Sequence, residues 1–72
     1  MTSNKSAAEI ILFAQSVNDK AHRLGIQDSN PDVAHMRFIM RDASESQILD
    51  TGALLHYAHL AQEAVQDAEA AQ

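Results

Sequence analysis

The length of 72 residues allows one domain at most, and a chain this short buries only about 60% of its extended surface, so its core is small. The absence of cysteine excludes disulfides and thiolate metal sites, and the net charge of −5 disfavours a general affinity for nucleic-acid phosphates. Thirteen alanines, two glycines and one proline favour helices over strands. We therefore expect residues 1–72 to form a single small all-α domain, with residues 1–5 and 69–72 frayed at its ends.

The first predicted helix covers residues 6–24. Ser6 and Glu9 have the spacing of a capping box, in which the serine hydroxyl and the glutamate carboxylate each accept a backbone N–H. Gly25 follows, and glycine readily takes the left-handed conformation that ends a helix. The apolar residues of this segment recur at helical spacing: Ile10, Phe13, Ala14, Val17, Ala21 and Leu24.

A second helix is predicted from Asn30 onward, after a short connection. Asn30 suits an N-cap, and Pro31 suits the first helical position, where no N–H donor is needed. Two continuations are open at this point. The helix runs unbroken over 31–70, or it breaks within 42–47, where Ser44 begins a second capping-box pattern.

These elements predict an antiparallel helical hairpin that dimerises into a helical bundle. A first helix over 6–24 is roughly 28 Å long, whereas an unbroken second helix over 31–70 is roughly 60 Å long. The shorter helix leaves part of the longer one's apolar face uncovered, and a second copy is the simplest cover because two-fold dimers are the commonest oligomers. A broken second helix instead allows a monomeric three-helix bundle. The predicted dimer interface consists of Leu54, Tyr57, Ala58, Ala61 and Val65.

A second apolar surface is predicted within residues 36–41. Phe38 lies about 160° from Met40 around the helix, so one neighbouring helix does not cover both. Aromatic, methionine and arginine side chains are enriched in protein interfaces. The alternative is that Phe38 packs inside a dimer or against a third helix. We interpret five residues as the candidate partner-binding site: Met36, Arg37, Phe38, Met40 and Arg41.

Residues suited to metal binding or catalysis are sparse. His56, His59 and Glu63 share one helix face and are candidate zinc ligands, but three ligands on one helix need a fourth from elsewhere. The sequence has no nucleophile elbow, no glycine-rich phosphate loop and no H-E-x-x-H motif. We expect a non-enzyme that binds no metal and no cofactor.

The distribution of charged and apolar residues bears on partners and location. All five lysines and arginines lie within the first 41 residues, and the chain from Asp42 onward carries six acidic residues. The longest apolar run, Ile10 to Ala14, is far shorter than the ~20 residues that cross a bilayer, and residues 1–5 lack the pattern of a signal peptide. We expect a cytoplasmic protein that contacts no membrane, and direct nucleic-acid binding is disfavoured.

We interpret the chain as a small non-enzymatic interaction module that binds a larger protein and modulates it. We expect the effect to be inhibition. In this interpretation the chain is an accessory or phage-type inhibitor, and its partner is a larger protein such as a bacterial regulator. The first alternative is a small DNA-binding transcriptional regulator, although the second helix offers only Arg37 and Arg41 as basic residues. The second is a DNA-mimic decoy, whose acidic half occupies the basic groove of a DNA-binding protein.

Overall fold

The computed structural model describes residues 6–71, which form three α-helices joined by short connections. The helices are α1 (Ala7–Leu24), α2 (Pro31–Ser46) and α3 (Thr51–Ala70). The predicted all-α class is confirmed, and residues 6–71 contain no strand. The fraying predicted for residues 1–5 and Gln72 lies outside the described residues, whereas α3 itself continues through Ala70. No helix in the described range is both long enough and apolar enough to span a membrane.

Both ends of α1 form as the sequence predicts. At the start, the Glu9 N–H donates to Ser6 Oγ over 3.2 Å, and the Ser6 N–H donates to Glu9 Oε1 over 3.3 Å. At the end, Gly25 has a φ of 74°, which lies in the left-handed region that favours glycine. The Ile26 N–H then donates to the Ala21 carbonyl over 3.0 Å. The caps thus pair backbone groups that the helix itself leaves without partners.

The start of α2 also follows its local sequence. Asn30 Oδ1 accepts the N–H groups of Asp32 and Val33, over 2.9 Å and 3.1 Å respectively. Pro31 occupies the first helical position, where its missing N–H has no consequence. A short cap sequence is therefore sufficient to define where α2 begins.

The second predicted helix is broken. The structure contains α2 and α3 as separate helices, so in the single chain the unbroken helix over 31–70 does not form and the broken alternative is confirmed. The joint covers residues 47–50, so it shares only Gln47 with the predicted 42–47 segment and ends three residues further on. After the joint, α3 folds back so that the ring of Tyr57 lies on that of His35 in α2. The chain therefore forms three packed helices rather than a two-helix hairpin.

The residues that form this joint are not those of the capping-box pattern that begins at Ser44. Gln47 ends α2 in the left-handed conformation, with a φ of 62°, and its N–H donates to the Ala43 carbonyl over 2.8 Å. Asp50 caps α3, since its Oδ1 accepts the Ala53 N–H over 3.0 Å. Ser44, the predicted start of a capping box, lies instead in the last turn of α2. The third helix thus begins after Asp50 rather than after Ser44.

The three helices share one apolar core. α3 packs against both α1 and α2, whereas α1 and α2 contact each other less. Two alanines of α1 and two of α3 are completely buried, which allows these two helices to approach closely: Ala14, Ala21, Ala58 and Ala61. The Cα atoms span 35 × 34 × 15 Å, so the bundle is flattened. The buried residues of the described chain are all apolar: Ile10, Ala14, Val17, Ala21, Val33, Met36, Leu54, Ala58, Ala61 and Val65.

The length mismatch behind the predicted dimer does not occur in this fold. α1 has 18 residues and α3 has 20, so the helices are about 27 Å and 30 Å long. Leu54 and Val65 bracket the apolar face of α3, and they are 0% and 2% exposed. The apolar face of α3 is therefore covered within a single chain.

Candidate partner-binding surface

The five residues predicted to bind a partner do not share one surface. Met36 is completely buried and Met40 is half-buried, whereas Phe38 is 62% exposed. Arg41 is exposed and Arg37 is partly exposed. Met36 is therefore corrected from a partner-binding residue to a core residue, because it lies on the side of α2 that faces the bundle.

Phe38 stands on the outer side of α2. Successive helical residues are about 100° apart, so Phe38 lies about 160° from the buried Met36. Its ring meets that of His35 edge-on, with centroids 6.5 Å apart and planes at 86°. His35 in turn stacks on Tyr57 of α3. Phe38 is thus the outermost ring of an aromatic row that begins on α3.

Two arginines lie beside Phe38. A cleft of about 260 Å³ on α2 is lined by both arginines, Phe38 and Ala34. Arg37 Nη1 lies 3.1 Å from Asp28 Oδ1, an exposed ion pair of the kind that contributes little to stability. Arg41 makes no ion pair within the part of the chain that the structure describes. Its guanidinium is therefore available to a carboxylate of another molecule.

A wider groove lies on the other side of Phe38, between α2 and the joint. Its volume is about 420 Å³, and Ile48 beside it is 75% exposed. Sequence reasoning missed Ile48, because its exposure depends on where α3 begins. The sequence signal that could have found it is Asp50, because aspartate is a common N-cap and a helix that begins after Asp50 leaves Ile48 outside both helices. The groove is lined by His35, Phe38, Ile39, Asp42, Ile48 and Ala53, among others.

Met40 contributes to a separate groove at the other face of α2. This groove has a volume of about 310 Å³ and lies between α1 and α2. Met40 and Phe38 therefore belong to different surfaces, although only Ile39 lies between them in sequence. The residues that line the groove include Ile11, Gln15, Met40, Ala43 and Leu49.

The five residues predicted to form a dimer interface lie inside the single chain. Leu54, Ala58 and Ala61 are completely buried, and Val65 is 2% exposed. Tyr57 is half-buried against α2. Because α1 and α2 of the same chain cover these residues, contact with a second copy through them requires that α3 leave its own chain.

No protein-family model, no curated protein and no solved structure matches this chain. The side chains that the fold leaves exposed are therefore the guide to its function. Three large apolar side chains of residues 6–71 are mostly exposed: Leu12 at 64%, Phe38 at 62% and Ile48 at 75%. Of these, Phe38 has arginines as its helical neighbours. We refer to Arg37, Phe38, Arg41 and Ile48 together as the Phe38 surface.

The candidate zinc ligands of α3 are not joined by ligands from another helix. In the described part of the chain, no group of three or more histidine, aspartate or glutamate side chains is placed to hold a metal ion. The ring of His59 lies 5.2 Å from that of Phe13, and the ring of His56 meets that of Tyr57 edge-on at 5.1 Å. Glu63 is exposed. Both histidines thus take part in aromatic contacts.

Proposed function

We propose that this protein is a small, non-enzymatic, cytoplasmic interaction module that binds a larger protein through the Phe38 surface. The observation that carries the proposal is the exposure of Phe38 in a chain whose core is complete without it. Full burial of such a side chain at an interface is favourable by about 1.5–3 kcal/mol. Aromatic and arginine residues are also those that most often dominate the binding energy of an interface.

The charges around Phe38 indicate the chemistry of the partner. Arg37 and Arg41 supply two guanidinium groups, and each can bind a carboxylate through two parallel hydrogen bonds. The chain as a whole has a net charge of −5, so an acidic partner is repelled by most of the surface and attracted to this part of it. The proposed partner segment therefore presents an apolar side chain to Phe38 and carboxylates to the arginines.

The proposed mechanism is occlusion. α2 has 16 residues and is about 24 Å long, which suits a helix that lies in a groove of a larger protein. The side of α2 that would face such a groove carries Arg37, Phe38 and Arg41. By covering that groove, the module modulates its partner, and inhibition is the effect that we expect.

Affinity capture with three versions of the tagged protein tests this proposal. The wild type is compared with Phe38→Ala and with Leu12→Ala, a matched control because Leu12 on α1 is equally exposed. We expect one protein to be retained by the wild type and by Leu12→Ala and to be lost from Phe38→Ala. Retention by Phe38→Ala, or equal loss from both variants, would contradict the proposal.

A further inference from the structure

The joint between α2 and α3 contains a residue in an unfavourable backbone conformation. Residues 47–50 contain no glycine and no proline, yet Gln47 has a φ of 62°. A residue with a side chain is disfavoured in this conformation by a factor of about 5 to 30 relative to the right-handed helical one. The strain disappears if residues 47–50 become helical.

The sequence of the joint also fits a helix that continues from α2 into α3. If residues 47–50 are helical, the core positions of the two helices fall on one stripe with alternating spacings of four and three residues. Two polar residues interrupt this stripe, and both belong to the joint. The stripe across the joint consists of Met36, Met40, Ala43, Gln47, Asp50 and Leu54.

The contacts that hold α3 in place are apolar and aromatic, and a second copy offers identical ones. Besides its core residues, α3 places the ring of His59 against Phe13 of α1 and stacks Tyr57 on His35 of α2. A second copy presents the same Phe13 and His35 and the same apolar faces of α1 and α2. α3 can therefore pack on another copy without losing these contacts.

We propose that two copies of this chain exchange α3 and form a domain-swapped dimer. In each copy, residues 47–50 become helical, α2 and α3 join into one helix over 31–70, and α3 packs against α1 and α2 of the other copy. The interaction surface is thus the apolar face of α1 and α2, and its partner is α3 of a second copy. The Phe38 surface stays on the outer side of α2, so this inference does not depend on the proposed function.

Two single substitutions in the joint shift this equilibrium in opposite directions. Gln47→Gly relieves the strain in the closed chain and weakens a continuous helix, because glycine tolerates positive φ and is unfavourable inside helices. Asp50→Ala removes the side chain that accepts the Ala53 N–H and so weakens the separate start of α3. Both side chains are exposed, so neither substitution opens the core.

Sedimentation equilibrium of the wild type and the two variants measures the effect, after each has been unfolded and refolded at high protein concentration. Each substitution changes the stability of one joint by a factor of about 5 or more, and a dimer contains two joints, so we expect the dimer dissociation constant to change about 25-fold or more. It rises in Gln47→Gly and falls in Asp50→Ala. Equal constants in all three proteins, or no dimer of any of them up to millimolar concentration, would overturn the proposal.

A covalent test distinguishes the exchange of α3 from a side-by-side dimer. The chain has no cysteine, so the double variant Phe13→Cys with His59→Cys carries one thiol on α1 and one on α3, at side chains that are in contact. After refolding at high concentration, a short bifunctional thiol reagent should give a covalent dimer on a denaturing gel. Refolding at low concentration should give only internally linked single chains. Internal links alone from a sample that sediments as a dimer would contradict the exchange.

Discussion

His35 of α2 stacks on Tyr57 of α3, with ring centroids 3.9 Å apart and ring planes only 6° from parallel. His35 also meets Phe38 edge-on, so the same imidazole contacts the exposed side of α2 and the helix that folds back along it. The stack therefore links the packing of α3 on α2 to the placement of the Phe38 surface.

The stack should make a measurable contribution to stability. Aromatic pairs contribute about 0.5–1.5 kcal/mol beyond the area that they bury, so we expect His35→Ala to lower the free energy of unfolding by about 1 kcal/mol. For a chain of this size, that change lowers the melting temperature by about 4–8 °C, as measured by circular dichroism. In a Tyr57→Leu background, His35→Ala should have little further effect. An equal loss in both backgrounds would show that the stack does not stabilise the fold.

Met36 and Phe38 are separated by one residue, but truncation to alanine should lower the stability of the fold greatly at Met36 and hardly at all at Phe38. Met36 is completely buried, so Met36→Ala should lower the free energy of unfolding by about 2–5 kcal/mol. Phe38 is mostly exposed, so Phe38→Ala should change the free energy of unfolding by no more than about 0.5 kcal/mol. Urea unfolding followed by circular dichroism measures both values. A loss from Phe38→Ala as large as that from Met36→Ala would make Phe38 a core residue.

The beginnings of α1 and α2 were predictable because the decisive contacts are local. Ser6 and Asn30 accept N–H groups two or three residues further on, so the cap can be read from a few consecutive residues. Gly25 likewise ends α1 through its own backbone conformation.

The break between α2 and α3 was not decided by the sequence, because its apolar pattern is compatible with both alternatives. The core stripe stays in register through Gln47 and Asp50, and the joint lacks the glycine or proline that usually marks a break. In the folded chain, α1 covers α3, which is a tertiary contact that no local pattern contains.

The candidate site was predictable only in part, for a geometric reason. Helical spacing correctly places Phe38 on the side of α2 away from the core. The predicted partner-binding residues all come from the short stretch 36–41, and neighbouring residues of a helix face different directions. The set therefore includes Met36 from the core and Met40 from another groove. Ile48 was missed because its exposure follows from the position of the joint.

Charge at the Phe38 surface should matter more than charge elsewhere. Arg41→Glu places an acidic group beside Phe38, so the dissociation constant of the captured partner should rise by about tenfold or more. Arg23→Glu on α1 makes the same change in net charge at another exposed position and serves as the control. Isothermal titration calorimetry measures both constants. Equal weakening by the two substitutions would indicate general electrostatic attraction rather than contact at Arg41.

Duplex DNA should not bind to this protein with appreciable affinity. Arg37 and Arg41 are the two cationic side chains on α2, and the net charge of the chain is −5, so few phosphates can be neutralised. Filter binding with random-sequence duplex at low salt checks this expectation. Retention that falls steeply as salt is added would instead support the alternative of a DNA-binding regulator.

The most direct measurement is the dissociation constant between the purified partner and three versions of this protein. For Phe38→Ala, we expect weakening by about tenfold or more, as for the central residue of an interface. For Leu12→Ala, which removes an equally exposed apolar side chain from α1, we expect a change of less than about twofold. Equal dissociation constants for the wild type and Phe38→Ala would contradict the assignment of this surface.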